Sequence, residues 1–279
     1  MSSSQESTQG LMTMGGHLEV LRKMLFRILF VTLFLGIVVF VFRKQTFSII
    51  LAPRDSSFAF YRGVEWLLQT LGIDYHFESF NVELISTDLS AQFMMHISTS
   101  FYVALLLASP YIVFELFLFI SPALYENEKK YSIPIVFIVY ILFALGIAMT
   151  YYILFPFSFR FLGTYQVDDT VKNTITLTSY ISTLISMSLV MGIVFQLPVL
   201  AYLLGKLGFI SYSLLAQYRK WAMMLILTLS AIITPPDIFT LIMVSLPLYL
   251  LYEISIIILK RIQRTFPTTM DETNQGEVD

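Results

Sequence analysis

Long apolar runs separated by short polar clusters dominate the chain. Six of them are predicted as spans: Met24–Phe42, Ile97–Ser121, Ile133–Phe155, Tyr180–Leu204, Trp221–Ile233 and Ile238–Leu259. Lipid leaves backbone groups no partner outside a helix or a closed barrel, and these runs do not alternate as barrel strands do. The expected fold class is therefore an all-α integral membrane protein of about six transmembrane helices. The last two runs are one apolar stretch cut by Thr234-Pro235-Pro236-Asp237. Each proline removes an N–H donor and clashes with the preceding turn, so a helix must end there. Trp221 to Ile233 then rises only about 20 Å, against roughly 30 Å of hydrocarbon. The pair reads as a hairpin of two short helices with Thr234 to Asp237 at its outer tip, Asp237 capping the last helix. A protein that accepts such a mismatch must thin its bilayer or shelter the helix ends.

Lysine and arginine set the orientation. One side carries Arg22, Lys23, Arg27, Lys129, Lys130, Lys206, Arg219, Lys220, Lys260, Arg261 and Arg264, and the other only Arg43, Lys44, Arg54, Arg62, Arg160 and Lys172. The positive-inside bias then places both termini in the cytoplasm. Residues 1–16 read as a flexible cytoplasmic segment, 17–260 as a six-helix membrane domain and 261–279 as a polar cytoplasmic tail. The first run ends at Arg43-Lys44 without a small-residue cleavage site and reads as a retained span. The outer loop 43–96 is the one sizeable polar segment. Within it, 58–71 spaces Phe60, Val64, Leu67 and Leu71 as one helical face, with Tyr61 and Trp66 nearby. Either this helix lies in the outer leaflet with its aromatics at headgroup level, or it packs on the bundle's outer face.

Composition narrows the chemistry. Of 279 residues 57% are hydrophobic and 13% charged, about half the charge of soluble domains. The net charge of −2 suggests no nucleic-acid partner. The absence of cysteine excludes disulfides and thiolate catalysis, and three histidines make a His-rich metal site improbable. No cofactor is expected. No nucleotide-binding glycine loop is present. An intramembrane protease needs a serine near a histidine inside the bundle, for which only His96 is placed.

Three polar residues fall where lipid should be: Glu115 in the second span, Gln196 in the fourth and Glu253 in the sixth. Such groups are costly unless paired or at the interface. Glu115 and Glu253 lie towards cytoplasmic ends, within reach of the interface by snorkelling. Gln196 lies deeper and is followed by Pro198, which should kink its helix. Intramembrane Glu and Gln with kinked helices also fit a proton-coupled secondary transporter or channel, although no inverted repeat is evident.

Two cytoplasmic segments carry compact charge. His17-Leu18-Glu19-Val20-Leu21-Arg22-Lys23 leads into the first span with leucines on one face. Phe119-Ile120-Ser121-Pro122-Ala123-Leu124-Tyr125, continued by Glu126-Asn127-Glu128-Lys129-Lys130, joins the second and third spans. Its acidic pair suits a bidentate arginine ligand, or merely caps two spans. With Phe195-Gln196-Leu197-Pro198-Val199, Thr234-Pro235-Pro236-Asp237 and Leu251-Tyr252-Glu253, in that order along the chain, these segments resemble TatC, the polytopic subunit of the twin-arginine protein translocase.

The resemblance covers His17 to about Lys260 and implies a concave, glove-like bundle whose last two helices are short. It implies a receptor, not an enzyme, that binds the twin-arginine signal peptides of folded cargo and nucleates a multimeric export complex in the bacterial inner membrane. It also implies single-span partners of the TatA and TatB types and energy from the proton-motive force. The implied signal-peptide-binding surface is Glu19, Arg22, Leu124, Tyr125, Glu126 and Glu128. Glu115, Gln196 and Glu253 become intramembrane polar positions for partner docking, and Pro53, Pro122, Pro198, Thr234, Pro235, Pro236 and Asp237 structural positions. Three departures stand out. Val20 occupies the position of the family's second glutamate, Gln196 stands where glutamate is common, and Glu115 where glutamine is often found. The outer loop is also longer than usual around 56–80.

Overall fold

The computed structural model describes residues 14–74, 82–120, 132–165, 168, 174–234 and 237–265. They fall into two compact units, Met1–Thr46 with His96–Tyr140, and Phe47–Met95 with Ile141–Asp279.

In the first unit, helix α1 (Met14–Val41) and helix α4 (Ala91–Ile120) run antiparallel. His96 stacks on Phe40 with ring centroids 3.9 Å apart, and its Nε2 lies 3.1 Å from the Phe40 carbonyl. At the opposite end Arg27 pairs with Glu115. Between them a Cβ added at Gly36 would sit 3.7 Å from the Ala104 Cβ, so small residues set the approach of the two helices. The outward faces, with Phe26, Phe30, Phe34 and Ile37, are exposed and apolar, as lipid-facing helices require.

The second unit holds the outer loop and the remaining helices. Helix α2 (Arg43–Ile50) leads into a 3₁₀ turn at Ala52–Arg54, and α3 (Ala59–Thr70) lies in the loop. Helix α5 (Ser132–Met149), whose first part belongs to the first unit, passes through a π-helical turn, Thr150–Leu154, into α6 (Phe155–Thr164). Pro156 cannot donate to the preceding turn, and the wide π turn takes up that missing bond without breaking the helix. Helix α7 (Leu177–Val194) stops at Phe195-Gln196, and α8 (Leu197–Lys206) restarts with Pro198 in its first turn. There the missing N–H costs nothing, so the expected kink is a full break between two helices. Helices α9 (Tyr212–Gln217), α10 (Arg219–Ile233) and α11 (Ile238–Thr265) complete the chain. Two-residue strands β1 (Leu84–Ile85) and β2 (Ile175–Thr176) pair in parallel and tie the outer loops together.

The helices α5, α7, α8 and α11 approach closely through glycine. A Cβ on Gly146 would lie 2.7 Å from the Met191 carbonyl, one on Gly192 2.7 Å from the Phe143 ring, and one on Gly205 2.1 Å from Leu259. Around Tyr180 the rings of Phe155 and Phe159 pack edge-on at 4.9 and 5.0 Å, and the Tyr180 hydroxyl donates to the Ile50 carbonyl at 3.0 Å.

Among the described residues, five stretches are long and apolar enough to cross a membrane: Leu18–Val41, Ala91–Leu116, Val136–Thr164, Leu177–Lys206 and Ile238–Gln263. The predicted short fifth run is the 15-residue α10, about 22 Å long. The expectation that the last helix is also short is corrected. Helix α11 has 28 residues and continues past the apolar run through Lys260 to Thr265, because lysine and arginine are good helix formers and no breaker intervenes. The segment expected to be flexible, 1–16, lies outside the described residues up to 13, but α1 already begins at Met14. The tail 261–279 is helical to Thr265, and 266–279 lie outside the described residues.

Candidate functional site

Along one face of α1, Glu19, Lys23 and Arg27 recur every four residues, a stripe of one acidic side chain followed by two basic ones. Glu19 Oε1 lies 2.9 Å from Lys23 Nζ, with both side chains well exposed. Arg22 is exposed, one position off that stripe. At the stripe's membrane end Arg27 reaches α4: its guanidinium nitrogen lies 3.3 Å from Glu115 Oε2, and the Tyr111 hydroxyl donates to Glu115 Oε1 at 2.7 Å. Glu115 is only 3% exposed. Its charge is therefore balanced within the helix pair, away from solvent.

The second unit repeats the arrangement. On α11 the Tyr249 hydroxyl donates to Glu253 Oε1 at 3.0 Å, and Arg219 at the start of α10 donates to Glu253 Oε2 at 3.0 Å. The Tyr252 hydroxyl donates to the Leu215 carbonyl at 2.7 Å, holding α9 against the same helix. In both places a tyrosine and a glutamate one turn apart on one helix receive an arginine from another. Glu115 stands in the last turn of its span, whereas Glu253 stands ten residues before the end of its own at Gln263, as far in as Gln196 and not at a span end as the sequence suggested. Each triad fastens two helices through charge-assisted bonds.

Gln196 sits in the break between α7 and α8, ten residues before the end of its span at Lys206, and its Nε2 donates to the Gly192 carbonyl at 3.3 Å. The deep polar position is thus tied back to its own helix. Thr234, buried, donates to the Ser230 carbonyl at 2.9 Å. Asp237 precedes α11, its Oδ1 accepting from the Thr240 backbone N–H at 2.7 Å, the predicted N-cap. Pro53 is buried and its carbonyl faces the Tyr61 hydroxyl at 3.3 Å. Pro198 occupies the first turn of α8. The remaining predicted residues, Pro122, Leu124, Tyr125, Glu126, Glu128, Pro235 and Pro236, lie outside the described residues.

The structure brings Glu19 and Arg22 onto one helix end and gives Glu115 and Glu253 private partners. Sequence reasoning missed those partners. Arg27 and Arg219 entered only the charge count, although Tyr111-x-x-x-Glu115 and Tyr249-x-x-x-Glu253 repeat one spacing that sequence alone displays.

Long apolar helices fastened by paired charges define a multi-pass α-helical membrane protein. The family model described as Sec-independent protein translocase protein (TatC) matches residues 16–247. A TatC of Blattabacterium sp. subsp. Periplaneta americana is 37% identical over 250 residues, covering 87% of this chain and 92% of its own. One from Helicobacter pylori strain J99 is 41% identical over 186 residues, covering 67% of this chain and 73% of its own. A crystal structure described as the twin arginine translocase receptor TatC superposes with a TM-score of 0.69 at 31% identity, covering 88% of this chain and 98% of that one. The chain belongs to the TatC family. It is a subunit of the twin-arginine protein translocase and a multi-pass protein of the bacterial inner membrane.

Proposed function

We propose that this chain is the signal-peptide receptor of its translocase and the platform on which the export complex assembles. Glu128, with Glu126 and Glu19, receives the paired guanidinium groups of a twin-arginine signal peptide, each carboxylate accepting a fork of N–H donors. The observation that carries the reading is the division of labour among the acidic residues. Glu115 and Glu253 are held by Arg27 and Arg219 within helix pairs. Glu19, by contrast, is exposed at 61% on a helix face and shares only an exposed lysine at i+4. Such a pair is worth little in water and yields readily to a bidentate arginine. Val20 leaves Glu19 the one acidic side chain at this end of α1.

Glu115 and Glu253 are accordingly positioning residues that fasten helix pairs, and Gln196 is the polar position within a span that an inserting segment meets. Single-span subunits of the TatA and TatB types are the assembly partners this reading requires. A proton-coupled transporter is disfavoured because both intramembrane glutamates are engaged by arginine, where a relay needs a carboxylate that releases its proton. Glu128→Lys should abolish export of a twin-arginine reporter while general secretion continues. Normal export in that variant would remove Glu128 from the receptor site.

A further inference from the structure

Helix α3 in the outer loop has three distinct flanks. Tyr61 is 1% exposed and turned onto the second unit's helices. Its hydroxyl lies 2.9 Å from the Pro156 carbonyl and 3.3 Å from that of Pro53, one proton between two acceptors. Burial pushes the phenol well above its ordinary pKa, so it stays a donor. On a second flank stand Arg62 and Gln69, both exposed, with Glu65 beside them. On a third, Phe60, Val64, Leu67 and Leu71 follow one another at three- and four-residue intervals. Leu67 is 52% and Leu71 68% exposed, and Ile73 just beyond is 53% exposed. A polar flank opposite an apolar one, with the third on protein, is the pattern of a helix lying along a boundary.

Its contacts fix the level of that boundary. Phe58, at the start of α3, stacks on Tyr152 with centroids 5.8 Å apart and meets Tyr151 edge-on at 5.4 Å, while Phe60 meets Phe157 at 6.2 Å. The helix therefore docks alongside 151–157 of the span Val136–Thr164. One turn further, the Arg160 guanidinium lies over the Tyr61 ring, 5.6 Å from its centroid. A charge on a span belongs at headgroup depth. Beside the docking site the same span exposes Tyr152 at 50% and Ile153 at 42%, so the lipid-facing surface of the span continues into the apolar flank of α3. Trp66, 68% exposed at the edge of the polar flank, is placed as interfacial tryptophans are.

We propose that α3 is an interfacial foot, lying in the headgroup layer of the outer leaflet with Leu67 and Leu71 in the acyl boundary and Arg62 and Gln69 in water. Its occupant is the phospholipid surface itself. The foot is clamped to the π turn and Pro156 of a span, so it sets the depth at which the second unit rides.

The chain has no cysteine, so a single Cys carries a spin label at one known place. Full-length Leu67→Cys and Arg62→Cys variants, labelled and reconstituted in phosphatidylcholine–phosphatidylglycerol vesicles, are read by collision with oxygen and with an aqueous nickel complex. The label at 67 should favour oxygen several-fold over nickel, at a depth of about 5–10 Å below the headgroups, and the label at 62 the reverse. Equal nickel access at both positions would place the helix in water and overturn the proposal. Exclusion of both reagents at 67 would show a protein cover and overturn it too. Trp66 gives an independent reading in Trp221→Phe, which leaves it the only tryptophan. Quenching strongest by lipids brominated near the headgroup supports the foot, and quenching by aqueous acrylamide alone contradicts it.

Discussion

Arg27 of α1 places a guanidinium nitrogen 3.3 Å from Oε2 of Glu115 on α4, and Glu115 is almost wholly buried while Arg27 remains half exposed. The two partners are therefore unequal. Removing the arginine strands a buried carboxylate, whereas removing the carboxylate leaves an arginine that already reaches solvent or headgroups.

That asymmetry gives a rank order. Arg27→Leu should destabilise the first unit by up to about 3 kcal/mol, near the lower end for one-sided breaks of buried pairs. Glu115→Gln, which keeps the Tyr111 bond, should cost about 1 kcal/mol or less. The double variant should recover most of the loss, and thermal unfolding in detergent measures all three. Equal losses from the two single changes would show that burial of Glu115 does not govern the pair.

Gly146 is the tightest contact with backbone in the second unit, since a Cβ there would stand 2.7 Å from the Met191 carbonyl. Neither helix can retreat without disturbing the packing of Met191, which is fully buried. Gly146→Val should therefore cost about 1–3 kcal/mol through overpacking. Gly63→Ala, where nothing lies within 4 Å of the added Cβ, should be neutral or slightly stabilising. Unfolding midpoints of the two variants in the same detergent provide the comparison.

Asp237→Ala should remove the cap of α11 at a cost of about 0.5–2 kcal/mol, with Asp237→Asn close to wild type. Hydrogen exchange at the first turn of α11 reports this locally: protection of the Thr240 N–H should fall in the alanine variant and survive in the asparagine one.

The short α10 bears on transport. Four apolar residues inserted in α10 and four in α11 keep the Arg219–Glu253 pair level while adding about 6 Å to each helix. If α10 thins the bilayer, export of a folded reporter should fall several-fold while binding of a twin-arginine peptide is retained. Unchanged export would make its shortness a matter of architecture alone.

How far the sequence reaches is clear from particular residues. Asp237 was legible as a cap because the proline pair ends one helix and leaves the next one's N–H groups bare, a local matter. The shortness of α10 follows from the same prolines. The extension of α11 through Lys260 to Thr265 was not legible from hydropathy, because the end of an apolar run marks where lipid stops and not where backbone hydrogen bonding stops. The Arg27–Glu115 partnership depends on the register of two helices set by small residues such as Gly36 against Ala104, and no spacing within either helix encodes it. The tyrosines at 111 and 249 were within reach, since i and i+4 side chains meet on any helix. The ring stacking that docks α3 beside the π turn joins residues more than 90 positions apart and is encoded by no local spacing.

The most direct measurement concerns position 128. A photoreactive residue there, in membranes holding the assembled translocase, should crosslink to a signal peptide with paired arginines. Replacing the pair by two lysines should remove most of that product, because an ammonium cannot form the bidentate bond. Equal crosslinking of both peptides, or none to either while twin-arginine cargo is still exported, would contradict the receptor assignment.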